Sequence, residues 1–290
     1  MGGSPEKPER HRAWSIPKSL LAALLVVPFA YPLVFLVVTA LRPGTAYNQS
    51  PLGFSGFPTF SNISYAWYAG SLGHDALNSL LAVSIGVFTC IAASSLAAYW
   101  FYRHEGIVAK ALLGLLFIGW AAPFASYLVA FYVLLANHHL TNNLIALGLA
   151  YGAIYTPFGT FFILAYQRQT LSKEILEAAA VDGASLLKQF ARIVLPLSRP
   201  AISTLAALTF AWLWGEIIVS VVLVGSDPSK FTIVLGTSTL VGATLNASGS
   251  ANSIDTVAAA TLIGLIPSLS VIYLAQRAIV RGFGTGGVKG

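Results

Sequence analysis

The chain has 290 residues, of which 56% are hydrophobic and 9% charged, with a net charge of +6 and a single cysteine. Soluble domains carry about 25% charged residues, and the mean hydropathy here is +0.75. One water-soluble core cannot absorb that much apolar surface, so the composition asks for a bilayer as solvent. Cys90 has no partner for an internal disulfide and reads as a small core hydrophobe.

Crossing roughly 30 Å of hydrocarbon takes about 18 or more apolar residues at 1.5 Å each. Six runs meet that length, at residues 19–41, 76–102, 111–135, 144–166, 201–224 and 254–275. Lipid offers no partner to an unpaired backbone N–H or C=O, so each run is expected to be helical. The predicted fold is all-α, a polytopic membrane protein with six transmembrane helices. The first run is longer than the roughly 7–15 residues of a signal-peptide core. It also holds Pro28 and Pro32, and it is expected to remain as a membrane helix.

An even number of spans puts both termini on one side, and the basic residues say which. The N-terminal tail 1–18 carries Lys7, Arg10, Arg12 and Lys18, and Arg103 and Lys110 follow span two. Arg168, Lys173, Lys188, Arg192 and Arg199 follow span four, and Arg277, Arg281 and Lys289 end the chain. Fourteen of the sixteen lysines and arginines therefore share a face, opposite Arg42 and Lys230. The positive-inside rule makes that face, with both termini, cytoplasmic. The same asymmetry accounts for the net charge without a nucleic-acid partner. Outside lie a long loop at 42–75, a short one near 136–143 and another long one at 225–253. The span 76–280 forms the core, with a cytoplasmic loop at 167–200, and a tail follows at 281–290.

Catalytic signals are missing. No phosphate-binding Gly-x-x-x-x-Gly-Lys-Ser/Thr loop, nucleophile elbow or paired intramembrane carboxylate occurs, and His138 and His139 are adjacent rather than at ligand spacing. Glu216, in the Trp212-Leu213-Trp214-Gly215-Glu216 stretch, is the clear ionisable residue inside a span. Two readings stand: it lines a polar path, or it snorkels outward or caps a helix pair. Tyr127 and Phe131 of span three either line a path or face lipid and neighbouring helices. Gly148, Gly152 and Gly159 of span four are expected to bring helices close together.

The cytoplasmic loop after span four is the most informative stretch. Ser172 is placed to cap a helix, with Glu174 near its positive end. Ala178, Ala179 and Ala180 favour helix, and Gly183 lets the chain turn sharply. Leu186, Phe190 and Ile193 then share one face of a second helix, which Pro196 is expected to end. Two short helices with an apolar face outside any core ask for a partner. The alternative is an amphipathic pair lying on the membrane.

Glu177-Ala178-Ala179-x-x-x-Gly183, followed by Ile193-x-Leu195-Pro196, resembles the EAA-loop signature of ATP-binding-cassette importer permeases. Asp182 and Pro200 fit the same pattern. Asn78-Ser79-Leu80, Ala97-Ala98-Tyr99 and the glycine-rich ending through Gly286, Gly287, Val288 and Lys289 are similar to the MalG-like carbohydrate branch. At Gly215 the chain departs from the Trp-Asn-Glu common in that branch.

The resemblance implies a type I importer permease fold and a coupling helix seated in an ATPase subunit. Glu177, Ala178, Ala179, Asp182, Gly183, Ala184, Ile193, Leu195 and Pro196 would form that interface. Trp212, Trp214, Glu216, Tyr127 and Phe131 would be the candidates for the substrate path. The implied partners are a second homologous permease, two nucleotide-binding ATPase subunits and an extracellular or lipid-anchored binding protein, in the plasma membrane of a bacterium or archaeon. ATP and Mg would belong to the ATPases, with no cofactor on this chain. The implied cargo is a sugar or oligosaccharide. The alternatives are an importer of a polyamine, phosphate ester or opine, and an ATP-independent channel.

Overall fold

The computed structural model describes residues 15–43, 50–51, 56, 58–68, 70–246 and 253–284. The first fourteen residues of the N-terminal tail and the glycine-rich ending from residue 285 lie outside the described residues. Among the described residues the regular structure is entirely helical. In chain order the helices are α1 (Ser15–Ala40), α2 (Ser61–Tyr68), α3 (Leu72–Arg103), α4 (Ile107–Ala121), α5 (Phe124–Asn137), α6 (Leu144–Thr170) and α7 (Lys173–Val181). They continue as α8 (Leu186–Gln189), α9 (Arg199–Trp214), α10 (Ile218–Val224), α11 (Ile233–Asn246) and α12 (Ser253–Gly284).

Three described stretches are long and apolar enough to cross a membrane by themselves: Leu72–Arg103, Leu144–Thr170 and Ile254–Gln276. The run expected as a third span is instead broken at Ala122 and Pro123 into α4 and α5, which meet at 100°. Proline supplies no N–H and disfavours helix in the residue before it, so the apolar run is continuous where the helix is not. The run expected as a fifth span is likewise two helices, α9 and α10, separated by Gly215, Glu216 and Ile217. Hydropathy reads composition, and composition is blind to such breaks. The external stretches also hold more structure than expected: α2 lies in the first, and α11 with a short turn at Pro228–Lys230 in the last.

The most extensive helix pair is α3 with α6. Its closeness has a direct cause in the small residues of α6. A Cβ at Gly148 would stand 2.7 Å from the Ala82 carbonyl oxygen, and one at Gly152 would stand 2.5 Å from the Thr89 Cβ. The glycines expected to bring helices together therefore do so. Helix α9 packs on α12 and α3, while α1, α2 and α11 all pack on α12. Leu147, Tyr151, Leu213 and Leu223 build one core cluster, and Tyr99, Ile163, Leu176 and Phe190 build another at the opposite end of α3. The remaining surface is apolar: Phe88 is 75% exposed, Val129 74% and Leu274 78%. Water would not tolerate such a belt, and hydrocarbon does.

Asn78 and Ser79, read only as part of a family pattern, have a structural task. The Asn78 amide donates to the carbonyls of Ser229 and Phe231, both at 3.0 Å, and the Ser79 hydroxyl accepts from the Ile233 amide at 2.7 Å. They pin the turn leading into α11 against the start of α3.

Candidate functional site: the loop after span four

The loop is built as its local signals say, with one correction. The Ser172 hydroxyl caps α7 by accepting from the Ile175 amide at 3.4 Å, and Ser185 caps α8 through Lys188 at the same distance. Between the two helices Gly183 takes φ +78°, a left-handed conformation open to residues without a Cβ. Helix α8 runs on through a π-helical turn at Phe190–Val194 and a last turn at Leu195–Leu197. Pro196 was expected to end the helix, yet it lies at the start of the short Leu195–Leu197 turn, where a missing N–H costs little. The chain bends by 73° at Ser198 instead.

The loop presents one face outward and anchors the other. Glu177, Ala178, Asp182 and Gly183 are exposed, and Ala179, Ala184, Ile193, Leu195 and Pro196 are half-buried. Beside them Val181 is 89% exposed and Leu187 71%. Inward, Leu176, Phe190 and Val194 join Tyr99, Tyr102 and Ile163 in the second core cluster. Of the face read as Leu186, Phe190 and Ile193, Phe190 is buried and Leu186 exposed. The π turn shifts the register after Gln189, so regular i, i+4 counting fails there.

Polar contacts complete the anchorage. The Tyr102 hydroxyl donates to the Leu171 carbonyl at 2.9 Å, and Lys173 pairs with Glu105 at 2.8 Å. The Lys173 hydrogen bond and charge hold the Glu105 carboxyl below its usual range. That depression favours the folded arrangement above the ordinary carboxylate pKa and fades as pH falls through the lowered one. Both groups are exposed, so the effect on stability is small. Sequence reasoning missed Gln189, which is 1% exposed. A polar residue in a basic loop carries no signal of burial, because its partners lie far off in the chain.

Of the residues proposed for a substrate path, Trp214 and Phe131 pack into the core cluster of Leu147 and Tyr151. Trp212 stacks on Tyr155 with ring centroids 5.6 Å apart, while Trp214 is buried, stacks on Phe210 and donates to the Gly264 carbonyl at 2.8 Å. Tyr127 and Phe131 both contact Phe124 on α5. Glu216 is a capping residue. Its carboxylate accepts from the amides of Ile218, Val219 and Ser220 at 2.8–3.3 Å, satisfying the start of α10 where the span breaks. Of the two readings of Glu216, the structure favours the cap.

The family of "Binding-protein-dependent transport system inner membrane component" proteins matches residues 90–285, about two thirds of the chain and including the whole 167–200 loop. The chain belongs to this family. The resemblance drawn from the Glu177–Pro196 spacing holds, and the permease is a multi-pass integral membrane protein of the ATP-binding-cassette importer class. It is 28% identical over 272 residues to the melibiose/raffinose/stachyose import permease protein MelC of Bacillus subtilis, covering 94% of this chain and 96% of that one. It is 29% identical over 287 residues to the sn-glycerol-3-phosphate transport system permease protein UgpE of Yersinia enterocolitica, covering 94% and 97%. Its fold matches a chain of a bacterial ABC transporter involved in the import of the acidic polysaccharide alginate. That match has a TM-score of 0.77 at 19% identity and covers 94% of this chain and 99% of the other.

Proposed function

We propose that the permease carries a sugar or oligosaccharide inward, as one of two homologous permease subunits driven by a pair of ATPases and fed by an extracellular binding protein. The observation that carries this reading is the cytoplasmic loop, an exposed apolar edge at Val181 and Leu187 beside a left-handed turn at Gly183. Such an edge outside the bilayer is stable when a partner covers it. Support for the cargo comes from the relative whose name specifies import of melibiose, raffinose and stachyose. In this reading each bent helix pair makes one crossing, α1 supplies the sixth, and both termini are cytoplasmic, in the plasma membrane of a bacterium or archaeon. The basic residues crowded onto one face support that orientation.

The proposed mechanism is alternating access. ATP closes the two ATPases, which draw this loop and its counterpart together. The helices tilt, the outer face opens beneath the docked binding protein, and hydrolysis restores the inward state. Glu177 and Gly183 sit at the transmitting surface. Trp212 and Glu216 are kept as candidates for the path, Glu216 through the break it stabilises.

The test is mass spectrometry of the complex purified gently from its native membrane, followed by a ligand screen of any binding protein recovered. A second permease, an ATPase and a sugar-binding protein are the expected outcome. Recovery of the chain alone at stoichiometric purity overturns the importer assembly. A binding protein that takes only polyamines, phosphate esters or opines keeps the assembly and replaces the cargo.

A further inference from the structure

Gln189 is a buried polar side chain with every donor and acceptor direction that matters in use. Its Oε1 accepts from the Arg103 Nη1 at 2.9 Å and from the Tyr99 hydroxyl at 3.3 Å. Its Nε2 donates to the Ala184 carbonyl at 2.9 Å. Ala184 follows Gly183 directly, so one side chain joins the turn of the loop to the cytoplasmic end of α3. The Phe190 ring, next in sequence, lies 5.5 Å from the Tyr99 ring, and the Arg103 guanidinium lies 5.8 Å from the same ring. The π-helical turn begins at Phe190.

Packing alone does not hold α8 against α3. A groove of about 320 Å³ lies between them, lined by Leu96, Tyr99, Trp100, Leu186, Leu187 and Phe190. Beside that open groove the Gln189 hydrogen bonds add to the packing of Phe190 on Tyr99 in fixing the separation. One of these bonds engages a guanidinium, and charge-assisted bonds are the stronger kind. The other anchors serve different parts of the loop: Tyr102 holds its beginning at Leu171, and Leu176 holds α7. The Gln189 contacts reach the turn itself.

We propose that Gln189 is a positioning residue that makes the loop turn and the end of α3 move as one body, so that a push on the loop becomes a tilt of the membrane helix. Arg103 and Tyr99 are its receiving partners. This rests on the ATP-coupled reading of the loop. It adds to that reading the side chain through which the movement enters the membrane.

The experiment uses the full transporter in proteoliposomes with its binding protein, and it measures ATP hydrolysis and substrate uptake in the same preparation. Gln189→Leu keeps the bulk of the side chain and removes all three bonds. Arg103→Met breaks the link from the other side at an exposed position, where loss of the fold is not at issue. Both variants are expected to assemble with the ATPases and hydrolyse ATP at near wild-type rates. Uptake per ATP should fall roughly tenfold, the factor matching one lost charge-assisted hydrogen bond. The double variant should be no worse than either single one. An unchanged uptake-to-hydrolysis ratio in both variants overturns the proposal. So does a proportional fall of assembly, hydrolysis and uptake, which would make Gln189 a purely structural residue. Absence of ATP-driven uptake in the wild type sinks the importer reading instead, so the two failures are distinguishable.

Discussion

Replacing Gly183 separates the stability of the loop from its function, because its surroundings make the stability cost calculable. The residue has φ +78°, and a Cβ built there meets nothing within 4 Å. An L side chain therefore bears the backbone term alone, about 1–2 kcal/mol for left-handed helical geometry. For a chain of this size that is a fall of about 2–8 °C in unfolding temperature, at about 2–4 °C per kcal/mol. Asparagine visits this conformation more readily than alanine, so Gly183→Asn should lose less stability than Gly183→Ala. At the docking surface the order reverses, since the larger side chain intrudes further on a partner. Gly183→Asp should insert and unfold much like the asparagine variant, yet fail to transport. The assay pairs thermal unfolding in detergent with ATP-driven uptake in vesicles. Uptake by Gly183→Asp at the wild-type rate would refute the argument. A transport loss that simply follows the stability loss across the three variants would refute it equally.

Two further expectations concern the membrane core. Gly152→Ala places a methyl 2.5 Å from the Thr89 Cβ, and forcing α3 and α6 apart should cost about 1–3 kcal/mol. Thermal unfolding checks this, and adding Thr89→Gly should recover part of the loss, since the Gly86 carbonyl stays in the way. The second expectation concerns Asp255, which is fully buried and whose carboxylate oxygens have no hydrogen-bond partner among the described residues, and Arg42, a charge that acts on it. Arg42→Met removes that charge together with the Arg42 hydrogen bonds to the Ser50 and Pro51 carbonyls, and should lower the unfolding temperature. The double variant Arg42→Met with Asp255→Asn should unfold at a higher temperature than Arg42→Met alone, and equal values would show that the two charges do not interact.

How far the sequence carried depended on the range of each signal. Apolar run length, a matter of composition against bilayer thickness, located the helices of the membrane core. Short-range chemistry located the loop: Ser172 caps α7, Gly183 makes the left-handed turn, and the spacing from Glu177 to Pro196 pointed to the family that the comparison with known proteins then established. The breaks in the third and fifth apolar runs were beyond that range. A helix breaks inside a bilayer only where other groups satisfy the freed amides, and for α10 the group is the Glu216 carboxylate, beside Tyr151 on a helix 65 residues away. The same holds for Gln189, whose partners on α3 lie 86 and 90 residues distant in sequence. Residue identity and local spacing determined which segments are helical and which loop carries the family's spacing. Contacts between distant segments decided where the spans bend and which buried side chain ties the loop to the membrane, because such groups acquire their role only from the neighbours that folding brings to them.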